Sequence, residues 1–109
     1  MAGFTPGTVE PEKTTMDLDK LAIAVSYAET SNCTKGSGVT YKNCFGIMEW
    51  TTGKRRLKRY NTTDESFEDF KSIWSKHYVR YPDLNMAIKW TGNDNPKTWL
   101  SIVNQYYNE

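Results

Sequence analysis

The sequence predicts a mainly α domain, α+β in content, with one small β-hairpin. Three observations carry this expectation. Apolar side chains recur at the i, i+3, i+4, i+7 spacing of a helical face in four separate segments. Residues that start and stop helices bracket those segments. Between the first two lies a β-type run interrupted by Thr51-Thr52-Gly53-Lys54, a turn-forming tetrapeptide.

Residues 1–13, MAGFTPGTVEPEK, hold two Pro, two Gly and no periodicity, which predicts a disordered lead-in or linker before a domain spanning 14–109. Thr14, with Asp17 three residues on, has the form of a capping box and predicts the start of the first helix. That helix is expected to run to Glu29, with Leu18, Leu21, Ala22, Val25 and Ala28 inward and Thr30-Ser31-Asn32 ending it. Cys33 to Cys44, with Gly36 and Gly38, predicts a surface loop. Ile47–Trp50 and Arg55–Tyr60 are the expected hairpin strands. Gly46 is expected where a Cβ would intrude on a close approach. Thr62 and Glu65 form a second capping box, opening a helix whose apolar face is Phe67, Phe70, Ile73, Trp74 and Tyr78. Tyr81-Pro82-Asp83 breaks it, and a short helix follows from Asp83 to Trp90, ended by Thr91-Gly92. Asn95 is the expected cap of the last helix, with Pro96 at its first position and Trp99, Ile102, Val103 and Tyr106 inward.

At 109 residues the chain is long enough for one domain with a modest core, and 38% hydrophobic and 14% aromatic content is too rich in large side chains for a disordered chain. A formal net charge of +1 gives no global case for nucleic acid or an anionic membrane surface. No run approaches a membrane span. The N-terminus lacks the basic start and apolar core of a signal peptide, so a removed signal, a larger parent protein or a phage-like lysis system is expected. Cys33 and Cys44, with His77, are too few ligands for a metal, so no metal or cofactor is expected. A disulfide between the two cysteines is the expected pairing, and it implies an extracytoplasmic setting, secreted, periplasmic or wall-associated.

Glu29 falls four residues after Val25 and seven after Ala22, which puts a carboxylate on the apolar stripe at a helix end. Withdrawal from water disfavours its charged form and moves its pKa toward the range of a general acid. A disulfide would fold Phe45-Gly46 back beside it.

Ala28-Glu29-Thr30-Ser31, then Asn43-Cys44-Phe45-Gly46-Ile47-Met48, Tyr60 through Asp64-Glu65-Ser66 to Phe70, Tyr81-Pro82, Thr91-Gly92 and Trp99 together resemble the lysozyme-like superfamily. The nearest likeness within it is to bacterial and phage endo-β-N-acetylglucosaminidases of the mannosyl-glycoprotein endo-β-N-acetylglucosaminidase-like type, over residues 16–107. The resemblance implies a lysozyme-like helical domain and a peptidoglycan-cleaving glycosidase, an N-acetylglucosaminidase, muramidase or lytic transglycosylase. It makes Glu29 the catalytic acid and sets Ser31, Phe45, Gly46, Ile47, Tyr60 and Trp90 along the glycan. Trp90 stands where relatives often carry Tyr, and Glu49 where transglycosylase-like relatives tend to have Gln. Glu49 is thus either a second carboxylate or an outward strand residue. The expected partner is the peptidoglycan glycan strand, bound by a monomer, with no nucleic acid and no membrane span.

Other signals read more plainly. Lys54-Arg55-Arg56-Leu57-Lys58-Arg59 is a strand with a solvated basic face, or a surface for an anionic wall polymer. His77 is a helix-surface or partly buried residue. Trp74, Trp90 and Trp99 have the helical spacing of core residues, whereas Trp50 and Tyr41 lie outside the helices as candidate sugar platforms. Asn32-Cys33-Thr34 and Asn61-Thr62-Thr63 match the glycosylation sequon. The competing reading is a non-catalytic cell-wall or chitin-binding module.

Overall fold

In the computed structural model, which describes residues 16–109, helix α1 spans Leu18–Thr30 and buries Leu21, Ala22, Ala24 and Val25. Its N-cap is Asp17, whose carboxylate accepts the Lys20 N–H at 3.1 Å. The expected Thr14 cap and the 1–13 segment lie outside the described residues, and the helix starts three residues later than that capping box placed it. Asp17 performs the capping itself, because its short carboxylate reaches the third N–H of the first turn.

At the other end Ser31, Asn32 and Cys33 follow one another at φ 50°, 60° and 70°. Left-handed backbone disfavours residues with a Cβ by about 1–2 kcal/mol each, so this run is held by surrounding bonds. Asn32 N–H reaches Ser26 O at 3.0 Å, and Thr30 Oγ1 accepts Cys33 N–H at 3.0 Å while donating to Cys44 O at 2.7 Å. Cys33 and Cys44 are joined by the expected disulfide. Serine at both positions should lower stability by about 3 kcal/mol in urea unfolding, from the released loop entropy. Thiol labelling of the non-reduced chain should find no free thiol; a loss under about 1 kcal/mol would show that the hydrogen bonds alone close the loop.

The segment closed by the disulfide is more ordered than an exposed loop. It contains a helical turn, α2, at Ser37–Thr40, and Gly38 is buried. A Cβ at Gly38 would meet the Cys33 backbone at 2.6 Å, so the glycine is required by close packing of two chain segments. Asn43 is completely buried and fully bonded. Its Nδ2 donates to Ile47 O and Lys58 O, both at 2.9 Å, and its Oδ1 accepts from Ile47 N at 3.0 Å and Phe45 N at 3.3 Å.

Strands β1 (Met48–Thr51) and β2 (Lys54–Leu57) pair antiparallel, Met48 opposite Leu57 and Trp50 opposite Arg55. β1 has the expected length but is shifted one residue later, and β2 is shorter than expected, starting at Lys54 and stopping at Leu57 rather than Tyr60. Lys58 N–H still bonds Ile47 O at 2.9 Å, but Tyr60 N–H turns to Tyr41 O, which draws the chain off the hairpin. Thr52 (φ 52°) and Gly53 (φ 78°) make the two-residue link with both central residues left-handed, the geometry that suits strand twist.

Helix α3 (Thr63–His77) is capped by Thr62 and buries Phe70 and Trp74. Glu65 completes the capping box from one residue further back than usual, accepting the Asn61 N–H at 2.9 Å. Asp83 caps α4 (Leu84–Thr91), which ends at left-handed Gly92. Helix α5 (Pro96–Tyr107) begins after Asn95 as expected, but Asn95 makes no side-chain cap. It sits at φ 52° rather than in the extended conformation of a capping residue, and its amide donates to Asp94 Oδ1 at 3.4 Å instead. Helix α1 packs mainly on α5 and also touches α3, while α4 packs on α5. Stacked Tyr27 and Tyr106, 4.0 Å between centroids, close the α1–α5 face. The mainly α fold with a two-stranded hairpin is therefore as the sequence predicts, and no helix of the described residues is long and apolar enough to cross a membrane.

Candidate functional site

Glu29 is the penultimate residue of α1, and its direction is fixed by the burial of Ala22 and Val25 on the same stripe. It opens into a cleft of about 800 Å³. The 45–48 segment forms one wall, with Phe45, Gly46, Ile47 and Met48. The α4–α5 corner forms the other, with Trp90, Gly92, Asp94 and Trp99.

Two indoles hold the carboxyl. Trp90 Nε1–H donates to Glu29 Oε2 at 3.0 Å, and Trp99 Nε1–H donates to the same oxygen at 2.8 Å. Indole N–H groups only donate. Both donors converge on Oε2 and leave Oε1 without a side-chain hydrogen bond among the described residues. Oε1 faces Gly46 across the cleft, 3.7 Å from where a Cβ would stand. That is ordinary contact distance, so a methyl there would fit beside Glu29, contrary to the expected intrusion. The glycine is demanded instead by φ +68°.

Burial raises the Glu29 pKa, opposed by the Trp99 and then the Trp90 hydrogen bonds, with Asp94 adding a smaller upward push. Desolvation prevails, so the carboxyl keeps its proton above the ordinary carboxylate range.

No protein family, no curated protein and no solved structure matches this chain. The site's chemistry therefore rests on its geometry.

Of the residues expected along the glycan, Phe45, Gly46, Ile47 and Trp90 line the Glu29 cleft. Phe45 does so from the core, stacked on Phe70 at 4.5 Å. Ser31 and Tyr60 are placed elsewhere. Ser31 is the left-handed C-cap of α1, its N–H bonded to Tyr27 O, and it points outside the cleft lining. Tyr60 donates to Asp69 Oδ2 beside the Lys58–Asp69 ion pair, tying the end of the hairpin to α3. Burial, then the Asp69 hydrogen bond and charge, hold the Tyr60 proton far above its ordinary range.

Glu49 stands on the hairpin face opposite to that of Met48 and lines a separate hollow with Tyr41, Lys54, Arg56 and Arg59, to which Arg55 of the Glu29 cleft also contributes. The structure thus brings Asp94, not Glu49, into the cleft with Glu29. His77 is exposed on α3 as expected. No group of three or more His, Cys, Asp or Glu that could hold a metal occurs among the described residues.

Two residues of the site escaped the sequence. Trp99 reads as a core residue by its spacing and is 6% exposed, yet its ring nitrogen reaches the carboxyl. Asp94 lies in a polar turn, and its only sequence signal is proximity to the Thr91-Gly92 helix stop.

Proposed function

We propose that this domain cleaves β-1,4 glycan bonds of peptidoglycan as a lysozyme-like glycosidase, with Glu29 as general acid. The observation that carries the reading is the Glu29 carboxyl itself: burial raises its pKa, its Oε2 is occupied by two indole donors, and it lines an open cleft. Glu29 transfers its proton to the glycosidic oxygen as the C1–O bond breaks, and positive charge develops on the sugar ring. The departing chain leaves as an alcohol. Capture of C1 by water, whose proton returns to Glu29, completes hydrolysis; capture by the sugar's own hydroxyl gives an anhydro end.

Asp94 is the second carboxylate of this cleft in the same reading, close enough to push the Glu29 pKa upward and to stabilise positive charge on the ring. Glu49 is outside this role. The disulfide accords with work outside the cytoplasm, in a secreted, periplasmic or wall-associated protein.

Mass spectrometry of purified sacculi after digestion tests the proposal. New reducing or anhydro sugar ends are expected, and their identity names both the bond and the chemistry. Retention of the protein on insoluble peptidoglycan without soluble fragments would replace the enzyme by a wall-binding module.

A further inference from the structure

We propose that the hairpin face carrying Met48, Trp50 and Arg55 extends the Glu29 cleft as a distal glycan subsite, where the Trp50 ring stacks on a sugar and the Arg55 guanidinium binds that sugar's carboxylate. This deepens the glycosidase reading and rests on it.

Strand register supplies the placement. Trp50 is directly opposite Arg55 and Met48 directly opposite Leu57, so these four share one face, while Glu49, Thr51, Lys54 and Arg56 share the other. Met48 and Arg55 already line the Glu29 cleft. Trp50 is the next residue along that face, so it continues the cleft wall toward the hairpin tip. Trp50 is 74% exposed, the most exposed of the large hydrophobic residues among those described. A flat, rigid indole offers a large contact area to a sugar ring at little entropic cost.

Charge selects the class of sugar. Arg55 forms no salt bridge among the described residues, and its cross-strand neighbour is Trp50 rather than a carboxylate. On the cleft's other wall Lys89 sits over the Tyr78 ring at 5.5 Å, adding a second cation. The acidic side chains of the cleft, Glu29 and Asp94, belong to the α1 and α4–α5 side. A guanidinium presents paired donors that match a carboxylate, so the wall fits an acid-bearing amino sugar better than a neutral one.

The experiment measures binding without turnover, using Glu29→Gln protein and calorimetry. The probes are peptide-free peptidoglycan glycan fragments bearing sugar carboxylates, the same fragments with those carboxylates amidated, and neutral chitohexaose. Trp50→Ala should weaken all three about 10-fold. Arg55→Ala should weaken the carboxylate-bearing fragment about 10-fold and leave the other two within 2-fold. In the active chain Trp50→Ala should raise KM on sacculi and Arg55→Ala should raise KM on peptide-free glycan, each leaving kcat within 2-fold. Both side chains are exposed, and unchanged thermal unfolding checks that the fold is intact. Equal effects of Arg55→Ala on charged and neutral probes, no effect of Trp50→Ala, or no binding of any probe would overturn the subsite. Failure of the glycosidase reading is a different result: sacculus cleavage undiminished by Glu29→Gln.

Discussion

Glu29→Gln is expected to slow release of soluble fragments from purified sacculi by about 10²- to 10⁴-fold, the usual contribution of a positioned general acid. The chain should remain folded. Glutamine keeps an oxygen to accept the Trp90 and Trp99 N–H groups and places an amide where Oε1 stood. Activity of the unsubstituted chain should fall as pH rises through the raised Glu29 pKa, since only the protonated acid donates. Stability should follow the same group. The folded state binds this proton more tightly than the unfolded state, so the favourable contribution is fully present below the ordinary Glu pKa and is lost as pH rises through the folded value. The Gln variant has no such titration. Its stability relative to the unsubstituted chain should therefore improve from acid to neutral pH, measurable by thermal unfolding at several pH values. A variant that clears sacculi at the original rate, or a stability difference that is flat with pH, would remove Glu29 from the centre of the site.

Asn43→Ala is expected to destabilise the domain by about 3–5 kcal/mol, in the range that marks loss of a buried network. One amide serves four backbone groups: the carbonyls of Ile47 and Lys58 and the N–H groups of Phe45 and Ile47. No water reaches a fully buried position to replace it, so each orphaned group carries a desolvation penalty. Asn43→Asp gives a sharper test. A carboxylate accepts from the two N–H groups but faces two carbonyl oxygens where the amide donated. It should be strongly destabilising at neutral pH and partly rescued in acid, because the protonated form can donate one hydrogen bond. The sign follows from a folded-state pKa raised above the unfolded value, with stability lost as pH rises. Urea unfolding at pH 4 and pH 7 reads both effects. A loss under about 1 kcal/mol for the alanine variant would mean that the 43–47 turn is held by the disulfide and by the Ser37 hydroxyl, which donates to Asn43 O at 2.7 Å.

These two residues differ in how visible they are in the sequence. Glu29 stands out because a carboxylate interrupts an apolar stripe of regular period, and the period is set by helix geometry alone. Asn43 lies in a loop beside a cysteine, where asparagine is ordinary, and only its four partners distinguish it. The same division runs through the caps. Thr62 bonds an N–H of its own first turn and was readable, whereas Asp83, expected as the first residue of its helix, is that helix's N-cap. Asn95 has the right identity and position but a left-handed backbone that its sequence neighbours do not reveal. Ser31 and Tyr60 follow the resemblance in order along the chain but not in space: the first serves a helix end and the second an ion pair with α3.

Local information in the chain was enough to determine the helices, the hairpin, the disulfide and the carboxylate at the end of α1. Each depends on residues a few positions apart, or on the only two thiols present. The state of that carboxylate was decided by the tertiary structure. Its two indole partners lie 61 and 70 residues away, and both approach only because α4 and α5 fold back on α1. Asp94 arrives by the same corner, while Glu49 is carried to the far face by the alternation of β1. Hydrogen-bond direction and desolvation act through space, so a titrating group at the meeting point of three elements takes its proton affinity from the packing.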